Sequence, residues 1–201
     1  APPTDPDALD LGVRPPRAPP PPLRLALRLG GGLSGGALPA PAGELNLLLG
    51  LLGPRWRLDL LARGVLPSRA RSGLDPTVRA RIGLWTLGAR ACFVPARARA
   101  RLEFPLCAGA ELGQLLARSE GLARNGRADL VWAAVTASPA LAWTPRPWLA
   151  LVLAAHLAVP LIHHDFLVRG LPRLHALGPV QAGGSLAVEW RFAPVRARPR
   201  P

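Results

Sequence analysis

From Val180 to Phe192 the chain alternates without interruption: Val180, Ala182, Gly184, Leu186, Val188, Trp190 and Phe192 share one parity, and Gln181, Gly183, Ser185, Ala187, Glu189 and Arg191 the other. Successive side chains of a β-strand point to opposite faces, so this stretch reads as a strand with one polar face and one apolar face that ends in two aromatics. A tilted strand of about ten residues crosses the hydrocarbon core of a bilayer. The segment is therefore fit to span a membrane as a strand.

The same period recurs upstream. Leu23, Leu25, Leu27 and Leu29 oppose Arg24, Ala26, Arg28 and Gly30, and a second run carries Leu45, Leu47, Leu49 and Leu51 on one face. Gly53-Pro54 turns that run into a third, where Trp56, Leu58, Leu60 and Ala62 oppose Arg57, Asp59 and Arg63. Further strands are predicted over 79–94, 101–113, 130–143 and 149–159. The predicted connections after the second, fourth and sixth strands are short, and those at about 33–43, 67–78, 118–129 and 160–179 are long. An even number of strands with short turns at one end and long loops at the other is the pattern of an outer-membrane barrel with both termini in the periplasm. The expected fold is an all-β, eight-stranded antiparallel up-and-down transmembrane β-barrel over 23–192. A Pro-rich periplasmic tail (1–22) precedes it and a basic extension (193–201) follows it.

Two features strain this pattern. In the fourth strand the apolar residues change parity between Ile82/Leu84 and Trp85/Leu87, which a β-bulge or a shifted boundary would explain. Pro105 and Pro139 fall inside strands of a closed sheet, where each removes a ladder donor, and local bulges are expected at both.

Composition narrows the alternatives. The formal net charge is +13 and all 25 basic residues are Arg, with no Lys, Met or Tyr, which is the mark of a GC-rich coding bias. These arginines are spread along strands and gathered on no helix or loop, so nucleic acid is not an expected partner. The longest apolar run, Trp148 to Ile162, is interrupted by His156 and Pro160, and no transmembrane helix is predicted. The chain begins at Ala1 with no basic-then-apolar leader, so the expected N-terminus is a mature or trimmed end.

With Val188-Glu189-Trp190-Arg191-Phe192 in view, the chain resembles the small eight-stranded outer-membrane barrels of the OmpA, OmpX and OmpW families. The resemblance covers about 23–192. It implies an outer-membrane location and recognition of Val188, Trp190 and Phe192 by the barrel assembly machinery. Ala193 to Pro201 depart from the pattern, because the terminal strand of such barrels normally ends the protein.

The candidate sites follow from the two faces. Trp56, Phe93, Trp143, Trp148 and Trp190 are expected in a periplasmic aromatic girdle. Arg24, Arg28, Glu44, Arg57, Asp59, Arg63, Arg90, Arg101, Glu103, Glu111, Glu189 and Arg191 are expected to form a lumen charge network, since eight strands leave no room for an open channel and an Arg on the lipid side costs roughly 2–4 kcal/mol near the midplane. Cys92 and Cys107, across the fourth hairpin connection, are within reach of a disulfide, with two free thiols as the other reading. No metal site and no cofactor are expected. His163, His164 and Asp165, with His175, are the one cluster suggestive of catalysis, but no motif positions a nucleophile beside them. Arg118, Arg124, Arg127, Arg169 and Arg173 are expected partners for lipopolysaccharide phosphates at the outer rim. The expected protein is a monomer and not an enzyme. A lipid-A-modifying enzyme on the same fold, or a soluble barrel holding a hydrophobic ligand, are the competing readings.

Overall fold

The computed structural model describes residues 23–36, 38, 40–71, 79–95, 101–120, 126–162, 165–166, 175–176 and 178–192; the predicted tails lie outside this set. Eight long strands carry the architecture: β1 (Arg24–Gly35), β2 (Ala42–Leu52), β3 (Trp56–Arg71), β4 (Arg79–Phe93), β5 (Leu106–Glu120), β6 (Arg127–Arg146), β7 (Leu149–Pro160) and β8 (Gln181–Arg191). Each pairs antiparallel with the next, and β8 pairs with β1 from Ala26↔Arg191 to Gly35↔Ala182. The sheet thus closes on itself and leaves no edge to template further pairing. Phe192 N–H donates to Leu25 C=O at 2.9 Å, so the chain enters and leaves the barrel at the same end.

Parity does the sorting. Leu29, Leu45, Leu47, Leu49, Leu58, Leu60, Leu112, Leu153 and Leu186 are exposed on the outside, while Arg28, Glu44, Arg57, Asp59, Arg63, Glu111, Glu189 and Arg191 are buried inside. This arrangement is the reverse of what a soluble barrel with an apolar interior requires.

The irregularities differ from expectation in an instructive way. Ile82 and Leu84 keep the inward parity of Thr86, while Trp85 and Leu87 face outward, so β4 has no bulge. The extra residue lies on the partner: Leu66 and Pro67 of β3 together oppose Gly83, between Val65↔Leu84 and Ser68↔Ile82. The apolar residues change face in β4 because the lumen itself becomes apolar at that level. Nor do the two prolines bulge. Leu102↔Trp143, Glu103↔Ala142 and Leu106↔Pro139 keep one register across Pro105, and Ala137↔Leu157 and Ala140↔Ala154 keep one across Pro139. Ala140 N–H donates toward β5, to Pro105 C=O at 2.9 Å, so the donor that Pro139 lacks would have faced β7. There Ser138 Oγ donates to the Ala155 carbonyl at 2.8 Å and takes its place. A second register shift falls instead between Trp143 and Arg146, beside the β6–β7 turn.

Strands β3, β5 and β6 also run further than their alternation suggests; on β5 and β6 it is the exposed Arg118 and Arg127, rather than Leu, that occupy outward positions near the rim. The connections predicted as long at 67–78 and 118–129 shrink to 72–78 and 121–126, whereas the connection from β4 to β5 contains a two-residue strand, Leu102–Glu103, paired with β6. The alternation of short and long connections is less regular than the sequence predicts.

The inverted wall makes a direct prediction. Leu112 is 65% exposed near mid-height of β5, and Leu112→Arg should lower the stability of the chain refolded in lipid vesicles by about 2–4 kcal/mol in urea unfolding. If the wall faced water, the substitution would be nearly neutral.

Candidate functional site

The lumen is divided into a charged zone and an apolar zone. In the charged zone, near the end that holds both termini, the register itself makes the pairs: Arg28 stands opposite Glu189, Asp59 opposite Arg90, and Cys92 opposite Cys107. Glu189, fully buried, is the hub. It accepts from Arg28 and from Arg57 at 2.6 Å and from Arg191 at 2.8 Å. Arg191 in turn holds Glu103 in a two-pronged contact at 2.8 and 2.9 Å, the fork geometry that suits guanidinium to carboxylate. Arg57 and Arg90 meet at Asp59, the latter at 3.1 Å.

A second group lies higher in the barrel. Arg63 contacts Glu111 at 2.6 Å and lies 3.7 Å from Glu44, and Thr86 donates to Glu111 at 3.0 Å. Gln181 bridges from Arg63 to Ser34. His156 completes this group: Arg63 donates to its Nε2 at 2.8 Å, and Glu44 lies 3.5 Å away. Across both groups five arginines, at 28, 57, 63, 90 and 191, face five acids, at 44, 59, 103, 111 and 189, so the formal charges inside balance.

Small residues make the space. A Cβ on Gly50 would fall 2.7 Å from Asp59 Oδ1, one on Gly88 2.8 Å from Glu111 Cγ, and one on Gly183 2.4 Å from His156 Cε1. These three inward glycines thus stand where a charged or polar side chain crosses a lumen too narrow for two large residues. A cavity of about 40 Å³ remains between the groups, lined in part by Arg28, Arg90, Ser138 and His156, room for a few water molecules.

Beyond the charged zone, Val65, Ile82, Leu84, Leu115, Trp132 and Ala158 pack together inside the barrel with Leu38. Trp132 is 1% exposed. Side chains from β2 to β7 thus fill the half of the lumen away from the termini with an apolar layer.

Two residues predicted for the charge network lie elsewhere. Arg24 is half-buried and lines the mouth of the barrel, and Arg101 is exposed there, at φ 59°, with Nη1 donating to Pro145 C=O at 2.7 Å. Both share the inward parity, but the strands end before their side chains reach the lumen. Cys92 and Cys107 are joined by a disulfide across β4 and β5, with Asp59 beside them. Trp56, Phe93, Trp143, Trp148 and Trp190 are all exposed on the wall at this end, as is Phe192, while Val188 is half-buried. His163 and His164 fall outside the described residues, as do Arg124, Arg169 and Arg173; Asp165–Phe166 pair with His175–Ala176 as a small ribbon. No sequence pattern assigns a partner to His156, although its inward position on β7 is legible, and the apolar layer around Trp132 is missed altogether.

A closed antiparallel barrel of eight long strands with an apolar outer wall and a charge-balanced interior is the fold of the small outer-membrane barrels. The structure is similar to a major outer membrane protein from Thermus thermophilus (TM-score 0.61, 12% identity, covering 85% of this chain and 99% of that one). It is similar also to Neisserial surface protein A (TM-score 0.55, 12% identity, 85% and 97% covered) and to Ail, the attachment invasion locus protein of Yersinia pestis (TM-score 0.51, 11% identity, 85% and 97% covered). No family model and no curated protein matches the sequence.

The hub role of Glu189 is testable. Glu189→Gln leaves three buried guanidinium groups short of a carboxylate and should cost about 3–5 kcal/mol in urea unfolding followed by tryptophan fluorescence. Asp129→Asn, which breaks the exposed pair with Arg127, should cost less than about 1 kcal/mol. Equal losses would remove Glu189 from the centre of the network.

Proposed function

We propose that the chain is an integral outer-membrane protein with a structural or surface-interaction role, neither a pore nor an enzyme. The observation that carries this reading is the pairing of an exposed leucine wall with a lumen filled by ion pairs at one end and by apolar side chains at the other. Such a barrel presents its ends and its wall to partners while its interior serves stability.

The end that holds both termini, the tight turns at 53–55 and 147–148 and the exposed Trp56, Trp143, Trp148 and Trp190 is assigned to the periplasm, by the aromatic-girdle and short-turn pattern of these barrels. The outward Trp190 and Phe192, with Val188 on the same strand, are assigned as the mark read by the barrel assembly machinery. The opposite rim, with Arg118 and Arg127 exposed on β5 and β6, is assigned to lipopolysaccharide phosphates, which guanidinium groups bind by charge-assisted hydrogen bonds. The protein is assigned as a monomer.

Planar bilayer recording tests the closed lumen. The refolded chain should insert without producing sustained conductance steps, and Trp132→Ala should leave the charged zone still closed. Steady ohmic steps from the unmodified chain would contradict the reading and make the lumen a conduit.

A further inference from the structure

One row of the outward wall is built of arginine. The register sets Arg81 opposite Arg118 and Arg118 opposite Arg127, so three adjacent strands, β4 to β6, carry exposed arginine at one level. Neighbouring strands lie about 4.8 Å apart, and like charges directly opposite one another disfavour sheet pairing. Asp129 sits 3.0 Å from Arg127, and Arg81 and Arg118 are the two arginines of the row that line a groove in the wall. The planar guanidinium fork matches pairs of phosphate oxygens, and arginine at this density on a wall suits a multiply charged oxyanion.

The height of the row identifies the surroundings. On β4, Arg81 stands twelve residues from Phe93 of the aromatic end. At a rise of about 3.3 Å per residue and a tilt of about 40°, that is ~30 Å along the membrane normal, just past an apolar band about 25 Å tall. Arg81 and Arg118 are exposed at the level of the outer-leaflet headgroups.

Immediately on the membrane side of the row the wall is indented. A groove of about 560 Å³ runs there, lined by Leu45, Leu66, Trp85 and Leu116, with Arg81 and Arg118 at its upper edge. Its origin lies in the backbone. The β3 bulge at Leu66–Pro67 opposes Gly83, and Gly64 and Gly83 carry no side chain on this face; a Cβ on Gly64 would meet nothing within 4 Å. An apolar trough that leads up to paired guanidinium groups has the shape and charge of an amphiphile's complement.

We propose that this groove is a binding site for a phosphate-bearing lipid of the outer leaflet, with the phosphate held by Arg81 and Arg118 and one acyl chain laid against Trp85. The site rests on the membrane reading above and gives it a specific ligand chemistry and place.

The test uses the full chain refolded into phosphatidylcholine vesicles, with insertion scored by the mobility difference between boiled and unboiled samples. Phosphatidic acid with brominated acyl chains is the probe, and brominated phosphatidylcholine at the same mole fraction is the control. Phosphatidic acid should quench tryptophan emission several-fold more strongly, and the excess should vanish in Trp85→Phe. Arg81→Ala with Arg118→Ala should bring quenching down to the control level, and so should Gly64→Leu, which fills the groove where there is open space. Added inorganic phosphate should leave the excess in place. Equal quenching by the two lipids in an inserted barrel would overturn the site and leave the membrane reading standing. Relief of the quenching by inorganic phosphate would overturn it in favour of a free-anion site. Failure to insert, with no quenching by either lipid, would overturn both.

Discussion

Glu189 and the arginines around it set the terms for the rest of the structure. Where the wall is leucine, charge at the same height has one place, the lumen, and a barrel of eight strands has a lumen only as wide as its side chains. Charges taken out of water there need partners with good geometry. The register provides them: β8 is the closing strand, and its Glu189 lies opposite Arg28 of β1, so the ion pair and the closure of the barrel are the same event. Arg57 and Arg191 reach the same carboxylate from either side. Inward glycines at 50, 88 and 183 give these long side chains their space.

How much of this is legible in the sequence depends on what parity encodes. Period two separates faces, and it places Leu45, Leu58, Leu112 and Leu186 on one side of the wall and Arg57, Asp59, Glu111 and Glu189 on the other with no error. It does not encode height. Arg24 and Arg101 have the parity of the lumen but lie at its mouth, where the barrel has ended. Ile82 and Leu84 look like a change of face, because an inward position is expected to be polar, yet at their level the interior is apolar around Trp132. Proline misleads for a related reason. The sequence shows that a donor is missing at Pro139, but whether a neighbour can supply another is a matter of geometry, and Ser138 does so across to β7 without disturbing the register.

The two ends of the barrel are therefore unlike inside and out. Toward the termini, paired charges fill the interior beneath a ring of exposed tryptophans. Toward the opposite end the polarity inverts: the interior is apolar, and arginine moves to the wall above the groove at Gly64 and Gly83. The β3 bulge belongs to this transition. It sits where the lumen becomes apolar and where the wall begins to carry charge, and it lets Leu66 and Pro67 both face outward while Val65 and Ser68 stay inside.

The central claim is that the leucine faces meet lipid. The most direct measurement is refolding of the denatured chain with and without lipid vesicles, followed by circular dichroism and electrophoresis of boiled and unboiled samples. The account predicts a β-rich spectrum and a heat-dependent mobility shift that require the vesicles. A β-rich chain that folds and remains dispersed in buffer alone would contradict it and turn every assigned inside into an outside.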